Sequence, residues 1–228
     1  CGSSASGKTT ISKLIQKNYL ERHNIKSIII SLDMFYKETQ DYPEQYKIYK
    51  KLCRSKENLE KPLEEREIFN FDIPELLDMN KARKLLIDIS KGSREVTIPV
   101  YNYGKFPNTT EILDIDPDVT VVIVEGIFLF YELDKHLNNI FDFLVFVEVY
   151  DEFKNNKYDE NTMFHFLSNN KQDEIQIFLR RFYRDKRYRK ESFEFIEFLY
   201  IWENIMKSYR KYILPYKKHA NLVINNNK

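Results

Sequence analysis

The chain has few of the features that mark secreted, membrane or nucleic-acid-binding proteins. Its two cysteines, Cys1 and Cys53, are too few and too far apart to suggest a disulfide framework, which favours a reducing compartment such as the cytoplasm. No apolar run approaches the roughly 18 residues that a membrane span needs. The net charge of +1 provides no broad field for a membrane surface or a nucleic acid. We therefore expect no membrane and no nucleic-acid partner.

Glycine is scarce, with five residues among 228. The apolar fraction of 43% is nevertheless sufficient for a full hydrophobic core. The length predicts a single domain, residues 1–228, with a lid or a modest second lobe. Two of the five glycines fall within the first seven residues, in the most informative segment of the chain.

The segment from Gly2 to Thr9 matches the phosphate-binding pattern G-x-x-x-x-G-K-[ST] without a mismatch. The glycines allow a tight wrap whose N–H groups face phosphate oxygens, Lys8 reaches the β- and γ-phosphates, and the Thr9 hydroxyl suits Mg²⁺. The alternative is a Gly/Ser-rich turn that caps the helix predicted over 8–23. The predicted nucleotide-binding residues are Gly2, Ser3, Ser4, Ala5, Ser6, Gly7, Lys8, Thr9 and Thr10.

A phosphate-binding loop normally follows a buried strand, so we expect such a strand before Cys1 and predict that this chain is N-terminally truncated. Apolar runs predict further strands over 27–32, 119–124, 143–149 and 221–224, and Pro99 puts a strand over 96–101 at an edge. Helices are predicted over 74–90, 172–189 and 193–214, whereas 37–69 resembles an exposed excursion with a helical turn over 46–52. This alternation predicts an α/β fold of the P-loop NTPase type, a parallel sheet with helices on both faces.

Three carboxylates follow predicted strands or precede a helix, where ligands of α/β sheets bind. Glu125 is either a surface carboxylate or a Mg²⁺ contact. Asp33 is either a turn residue or a general base for an acceptor hydroxyl. Asp72, which precedes Pro74, is either a helix cap or a buried acceptor for a sugar hydroxyl.

A cationic helix includes Arg181 and Arg184, which are three residues apart and share a face. One interpretation is a solvated basic face or a nucleic-acid patch. The other is a lid that closes over ATP and bridges the transferring phosphoryl group. The near-zero net charge and the upstream phosphate loop favour the lid.

The chain resembles the uridine kinase (uridine-cytidine kinase) family, P-loop nucleoside kinases related to phosphoribulokinase. The matching segments, in the order of the family, are 5–9 (ASGKT), 33–36 (DMFY), 70–74 (NFDIP), 98–102 (IPVYN), 125–127 (EGI), 180–185 (RRFYRD) and 214–221 (LPYKKHAN). The resemblance implies a small edge β-ribbon, a helical lid, and insertions at about 37–69 and 151–175.

The resemblance also implies roles, position by position. Asp33 is the expected base for the nucleoside 5′-hydroxyl, and Asp72 the expected acceptor for ribose hydroxyls. Lys8, Arg181 and Arg184 complete the expected catalytic set, and Thr9 and Glu125 the Mg²⁺ contacts. The expected nucleoside contacts are Asp72, Tyr101, Phe71, Phe106 and Arg181. The donor is ATP, with GTP as the alternative, and the family is often tetrameric, so a homo-oligomer is expected.

Several positions depart from the family pattern. Phe106 occupies the place of a histidine that helps to recognise the pyrimidine edge, the R-G-R after the lid helix lacks its glycine, and Tyr200 stands near the place of a glutamine. Two other functions therefore stay open. One is a P-loop kinase of another ribosyl or small hydroxylated substrate, and the other is a catalytically decayed ATP-binding regulatory protein.

Overall fold

The computed structural model describes residues 1–62, 65–100, 109–132, 140–149, 172–188 and 195–226. The helices are Lys8–His23 (α1), Glu44–Cys53 (α2), Lys56–Glu60 (α3), Met79–Ser90 (α4), Leu129–Glu132 (α5), Gln172–Arg187 (α6) and Phe195–Ser208 (α7). The strands are Lys26–Ser31 (β1), Glu95–Pro99 (β2), Thr110–Asp114 (β3), Val119–Glu125 (β4), Val145–Glu148 (β5) and Leu222–Asn225 (β6). Tyr101, Phe106 and most of the predicted insertion at 151–175 lie outside the described residues.

Parallel strand pairs and helices confirm the predicted α/β class. β1 pairs with β4, and their register sets Ser31 opposite Glu125 at the carboxyl ends of both strands. β5 pairs with β6 in the same parallel sense. The antiparallel pair β2–β3 is the expected small ribbon. Because parallel strands place their carboxyl ends at one edge, the loops that follow β1 and β4 lie side by side.

The first two residues run alongside β5. The backbone N–H of Val147 donates to the carbonyl of Cys1 at 2.8 Å, and Gly2 forms a parallel bridge to Val147. A cavity of about 480 Å³ separates β4 from β5 next to Cys1, and side chains of α1 and α4 complete its wall. The strand expected before Cys1 stays a prediction.

Two apolar clusters hold the described elements together. The larger one surrounds β1, β4 and α4 and includes the fully buried Phe128 and Phe146. The second joins α6 to α7 through Phe178 and Trp202, whose ring centroids are 5.4 Å apart at an edge-to-face angle. Aromatic rings in this geometry gain about 0.5–1.5 kcal/mol beyond the burial of their area. The helix pair α6–α7 therefore packs around its own core.

Two predicted helices have different ends in the structure. The helix expected from residue 74 begins at Met79, because the Asp78 carboxylate accepts from the backbone N–H of Lys81 and caps it there. Pro74 lies instead in a 3-10 turn, Pro74–Leu76. The helix expected over 193–214 ends at Ser208 and continues as a π-helical turn, Tyr209–Ile213.

The segment 37–69 is exposed over much of its described length, as predicted, and α2 contains the helical turn expected over 46–52. It also contains α3 and four buried residues that were not predicted, Tyr42, Lys50, Cys53 and Asn58. The Asn58 amide, 1% exposed, donates to the carbonyls of Cys53 and Glu67 at 3.1 and 2.9 Å, and accepts from the Glu67 N–H at 2.8 Å. The hydrophobic pattern of the sequence does not predict this packing, because the central hydrogen bonds are made by Asn58, a polar side chain.

We predict that Asn58→Ala lowers the free energy of unfolding by about 2–4 kcal/mol, since it removes three hydrogen bonds of a buried side chain and leaves backbone groups of Cys53 and Glu67 unsatisfied. Asn18→Ala is the matched control, because Asn18 makes an exposed hydrogen bond to Leu14 and its loss should change stability by about 0.5 kcal/mol or less. Urea unfolding of both variants measures the difference. Equal effects would mean that 37–69 is not organised by Asn58.

Candidate active site

The phosphate loop connects the bridge at β5 to the first turn of α1. Gly7 has φ 96° at the N-cap of α1, and Gly2 has φ 145°, backbone conformations that favour glycine. The backbone N–H of Ser6 donates to the carbonyl of Ser3 at 3.2 Å, and Lys8 Nζ donates to the same carbonyl at 2.7 Å. The loop is therefore wrapped into a closed turn over the N-terminus of a 16-residue helix.

Polar groups inside this loop suit a bound phosphate chain. The hydroxyls of Ser3 and Ser6 are buried and have no hydrogen-bond partner among the described residues. Burial lowers the pKa of Lys8, and Arg184 lowers it further, whereas the carboxylates of Glu125 and Asp33 oppose this shift. Because the α1 dipole also favours negative charge here, a polyphosphate would satisfy the hydroxyls and stabilise the ammonium.

Thr9 and Glu125 form the predicted metal pair. The Thr9 hydroxyl donates to Glu125 Oε1 at 3.0 Å, across a sequence separation of 116 residues. Glu125 ends β4 and is buried, which contradicts the alternative of a surface carboxylate. The described residues contain no group of three His, Cys, Asp or Glu side chains that would hold a metal alone. A hydroxyl, a carboxylate and substrate phosphates suit Mg²⁺, which takes few protein ligands.

Asp72 and Arg181 form a buried ion pair. Arg181 Nη1 donates to Asp72 Oδ2, and its Nη2 donates to Oδ1 at 3.2 Å, so both carboxylate oxygens are engaged. Burial lowers the pKa of Arg181, but Asp72 and then Asp185 outweigh it, and the pKa lies above its ordinary value. The alternatives of a helix cap for Asp72 and a solvated face for Arg181 are therefore wrong, since Asp78 caps α4 and both partners are buried.

Arg184 reaches the phosphate loop from α6. Its Nη1 is 3.5 Å from the Ser4 hydroxyl, and its Nε donates to Asp185 Oδ1 at 2.8 Å. Asp185 also lies 3.6 Å from Arg181 Nε, so one buried carboxylate orients both arginines. Asp185 was not among the site residues predicted from the sequence. Its position beside Arg184 and four residues after Arg181 could have indicated this contact, because residues four apart share a helix face.

Asp33 lies in a 3-10 turn, Leu32–Phe35, directly after β1. The Ser31 hydroxyl caps the turn by accepting from the Asp33 N–H at 3.4 Å. Lys8 is under the electrostatic influence of Glu125, Asp33, Arg184 and Asp72 together. These four charged residues are all among the predicted site residues, and the roles predicted for them stay predictions.

An aromatic wall adjoins Asp72. Phe71 is 40% exposed, and its ring packs edge-to-face on Phe69 with centroids 4.9 Å apart. The buried ammonium of Lys50 lies 5.4 Å from the Phe71 centroid and 5.0 Å from that of Tyr42. The sequence analysis did not identify Lys50, because a lysine in a charged segment gives no sign of burial.

One further contact reaches the phosphate loop from the C-terminal strand. Asn226 Nδ2 donates to the Ser6 carbonyl at 2.8 Å, just after the end of β6. No motif pointed to it, because its partner is a backbone group 220 residues away.

Comparison with known proteins agrees with this geometry. The family model described as phosphoribulokinase / uridine kinase matches residues 1–157. The chain belongs to this family. Uridine-cytidine kinase 2-B of Danio rerio is 30% identical over 227 residues, which are 98% of this chain and 70% of that protein. Uridine kinase of Streptococcus agalactiae serotype III (strain NEM316) is 28% identical over 223 residues, covering 98% of this chain and 83% of that protein.

The fold also agrees with a solved structure. A possible uridine kinase from Bacillus stearothermophilus superposes with a TM-score of 0.53 at 17% identity, covering 98% of this chain and 85% of that one. Membership in this family implies a kinase that uses a nucleotide. No helix among the described residues is long and apolar enough to cross a membrane.

We predict that Arg181→Met lowers the free energy of unfolding by about 3–5 kcal/mol, because it leaves the buried Asp72 carboxylate without its cation and takes one of its two arginines from Asp185. Arg187→Met on the exposed face of the same helix is the control, with an expected change near zero. Combining Arg181→Met with Asp72→Asn should recover part of the loss. Denaturant unfolding of the parent, Arg181→Met, Asp72→Asn, their combination and the Arg187→Met control measures this, and strict additivity would contradict a direct pair.

Proposed function

We propose that the protein is an ATP- and Mg²⁺-dependent nucleoside kinase that phosphorylates the 5′-hydroxyl of uridine or cytidine, as in pyrimidine salvage. The supporting observation is the buried Lys8 in a phosphate loop whose Thr9 contacts Glu125 at 3.0 Å and whose Ser4 lies 3.5 Å from Arg184. Phosphoryl transfer needs positioning and charge neutralisation more than covalent chemistry. A phosphate loop with a carboxylate on the acceptor side and arginines above it meets that need.

ATP, when bound with Mg²⁺, supplies the transferable phosphoryl group. On the protein side, the loop N–H groups, the hydroxyls of Ser3 and Ser6, and Lys8 would bind the phosphate oxygens. Thr9 and Glu125, already in contact at 3.0 Å, would hold the metal ion. Arg184 is oriented by Asp185 toward the loop and would neutralise charge on the equatorial oxygens.

The acceptor side is formed by Asp33 and Asp72. Asp33 would align the 5′-hydroxyl and accept its proton. A carboxylate offers about four lone-pair positions, of which the two hydrogen bonds from Arg181 occupy two. Asp72 therefore keeps acceptor capacity for ribose hydroxyls while Arg181 holds it in place.

The residues expected to contact the base support uridine or cytidine less directly than the rest of the proposed site supports a nucleoside kinase. Phe71 offers an exposed aromatic ring beside Asp72, and Tyr101 and Phe106 are proposed to complete the pocket. An apolar ring at position 106 would not form a hydrogen bond to the pyrimidine edge, and such bonds discriminate strongly among analogues. A kinase of another ribosyl substrate is therefore the second candidate, and the departures in the base-reading positions favour it.

Asp33→Asn is expected to lower kcat by about 10²–10⁴-fold, because the amide cannot accept the hydroxyl proton. Mg·ATP affinity, measured by titration calorimetry, should stay within about twofold, since the phosphate loop is untouched. Asp118→Asn, an exposed carboxylate paired with Lys26, is the control for general loss of an aspartate. Full activity of Asp33→Asn would remove Asp33 from the base role.

Asp72→Asn is expected to raise the nucleoside KM about tenfold or more and to leave the ATP KM nearly unchanged, because ribose hydroxyls lose a charged acceptor. The amide is chosen over alanine because it preserves shape and keeps an acceptor for the buried Arg181. Thermal unfolding measured in parallel separates a fold defect from a binding defect. Equal changes in the two KM values would argue against ribose binding.

The overall proposal is tested by ADP release from Mg·ATP or Mg·GTP with uridine, cytidine, other ribonucleosides, or no acceptor. Turnover confined to uridine and cytidine supports the pyrimidine kinase. Turnover with another acceptor retains the mechanism and changes the substrate, whereas ATP binding without turnover favours a regulatory protein. Sedimentation of the same sample tests the homo-oligomer that the family resemblance implies.

A further inference from the structure

Asn70 has every donor of its side-chain amide engaged. Its Nδ2 donates to the backbone carbonyl of Asn204 at 2.9 Å and to the Ser208 hydroxyl at 2.8 Å. Its Oδ1 accepts from the backbone N–H of Asp72 at 2.9 Å. An amide has two N–H donors, so both are used, and turning the group over would break the hydrogen bonds to the Asn204 carbonyl and from the Asp72 N–H.

These hydrogen bonds join the loop that presents Asp72 to helix α7. Asn204 and Ser208 lie on α7, 134 and 138 residues from Asn70 in sequence. A third hydrogen bond strengthens the same junction, since Asn204 Nδ2 donates to the Ile68 carbonyl at 3.3 Å. The segment before Asp72 is therefore attached to α7 by three hydrogen bonds, and Ser208 is buried.

The carboxylate of Asp72 is held from the neighbouring helix. Arg181, on α6, engages both of its oxygens. α6 and α7 pack through Phe178, which lies 5.1 Å from Phe198 and 5.4 Å from Trp202 between ring centroids. The helix pair α6–α7 therefore holds Asp72 at two points. Asn70, bound to α7, accepts from its N–H, and Arg181 on α6 donates to its carboxylate.

We propose that Asn70 is a positioning residue that couples the nucleoside-binding Asp72 to helix α7, so that nucleoside affinity depends on the contact between Asn70 and Ser208. The proposal rests on the proposed function for the role of Asp72. Asparagine is required because it donates to two acceptors on α7 and accepts from the loop at the same time. Aspartate has the same shape but no donor, and its charge would face the Asn204 carbonyl.

The experiment compares Asn70→Asp and Ser208→Ala with the parent protein, using initial rates and thermal unfolding. Both variants are expected to raise the nucleoside KM about five- to tenfold while the ATP KM stays within about twofold, because only the nucleoside side depends on Asp72. Ser208→Thr retains the hydroxyl and should restore the parent KM. Glu203→Gln, an exposed neighbour on α7, is the control.

A second readout does not depend on turnover. The Asp72 amide hydrogen, which Asn70 accepts, should exchange with deuterium about tenfold faster in Ser208→Ala, because the Asn70 amide has lost one anchor. The internal reference is the Asp118 amide, which donates to the Asp116 side chain at 2.8 Å in the same kind of turn. Its exchange rate should not change.

The two readouts separate this proposal from the proposed function. If the parent phosphorylates no nucleoside, the proposed function fails, and the amide exchange still decides whether Asn70 couples Asp72 to α7. Unchanged nucleoside KM and unchanged Asp72 exchange in both variants would overturn the coupling. Equal increases in the nucleoside and ATP KM values would also overturn it, because a general loosening of the fold would then explain them.

Discussion

The assembled site depends on one buried guanidinium between two carboxylates. Arg181 engages both oxygens of Asp72, which is 109 residues away, and also lies beside Asp185 on its own helix. Removing two or three charges from water is costly, and only good geometry with further hydrogen bonds compensates for it. The surrounding structure supplies this, because Asn70 fixes the Asp72 backbone and Asp185 is shared with Arg184. The position of α6 is therefore specified electrostatically as well as by its aromatic core.

The phosphate side of the site is constructed in a different way. Its groups come from one continuous segment, Gly2 to Thr9, and mostly from the backbone, so a short pattern in the sequence is enough to reveal it. The fold adds a negative environment from Glu125 and Asp33 that opposes the lowering of the Lys8 pKa by burial. A side chain on β4 can do this because the parallel register places Glu125 opposite Ser31, two residues before Asp33.

This contrast explains what could be predicted from the sequence. The α/β class, the helix Lys8–His23 and the strand Val119–Glu125 follow from local patterns, namely a loop motif and a run of β-branched residues. The packing of 37–69 could not be predicted, because Asn58 and Lys50 are polar residues whose burial depends on partners such as Glu67 and Phe71. The contact of Asn70 with Ser208 was hidden, since the two residues are 138 apart in sequence. Asp185 was less hidden, because it lies four residues after Arg181 on the same helix.

The phosphate loop and the nucleoside side of the proposed site are built differently. This difference decides whether a change of nucleobase would alter the groups that carry out phosphoryl transfer. In the proposed mechanism the phosphate loop would bind its ligand largely through backbone N–H groups, whereas nucleoside binding would rely on side chains such as Asp72 and Phe71, in a loop that Asn70 attaches to α7. Changes at the positions proposed to contact the base, such as 106, would therefore not alter the groups around Lys8. The proposed phosphoryl-transfer mechanism does not depend on which nucleobase is bound.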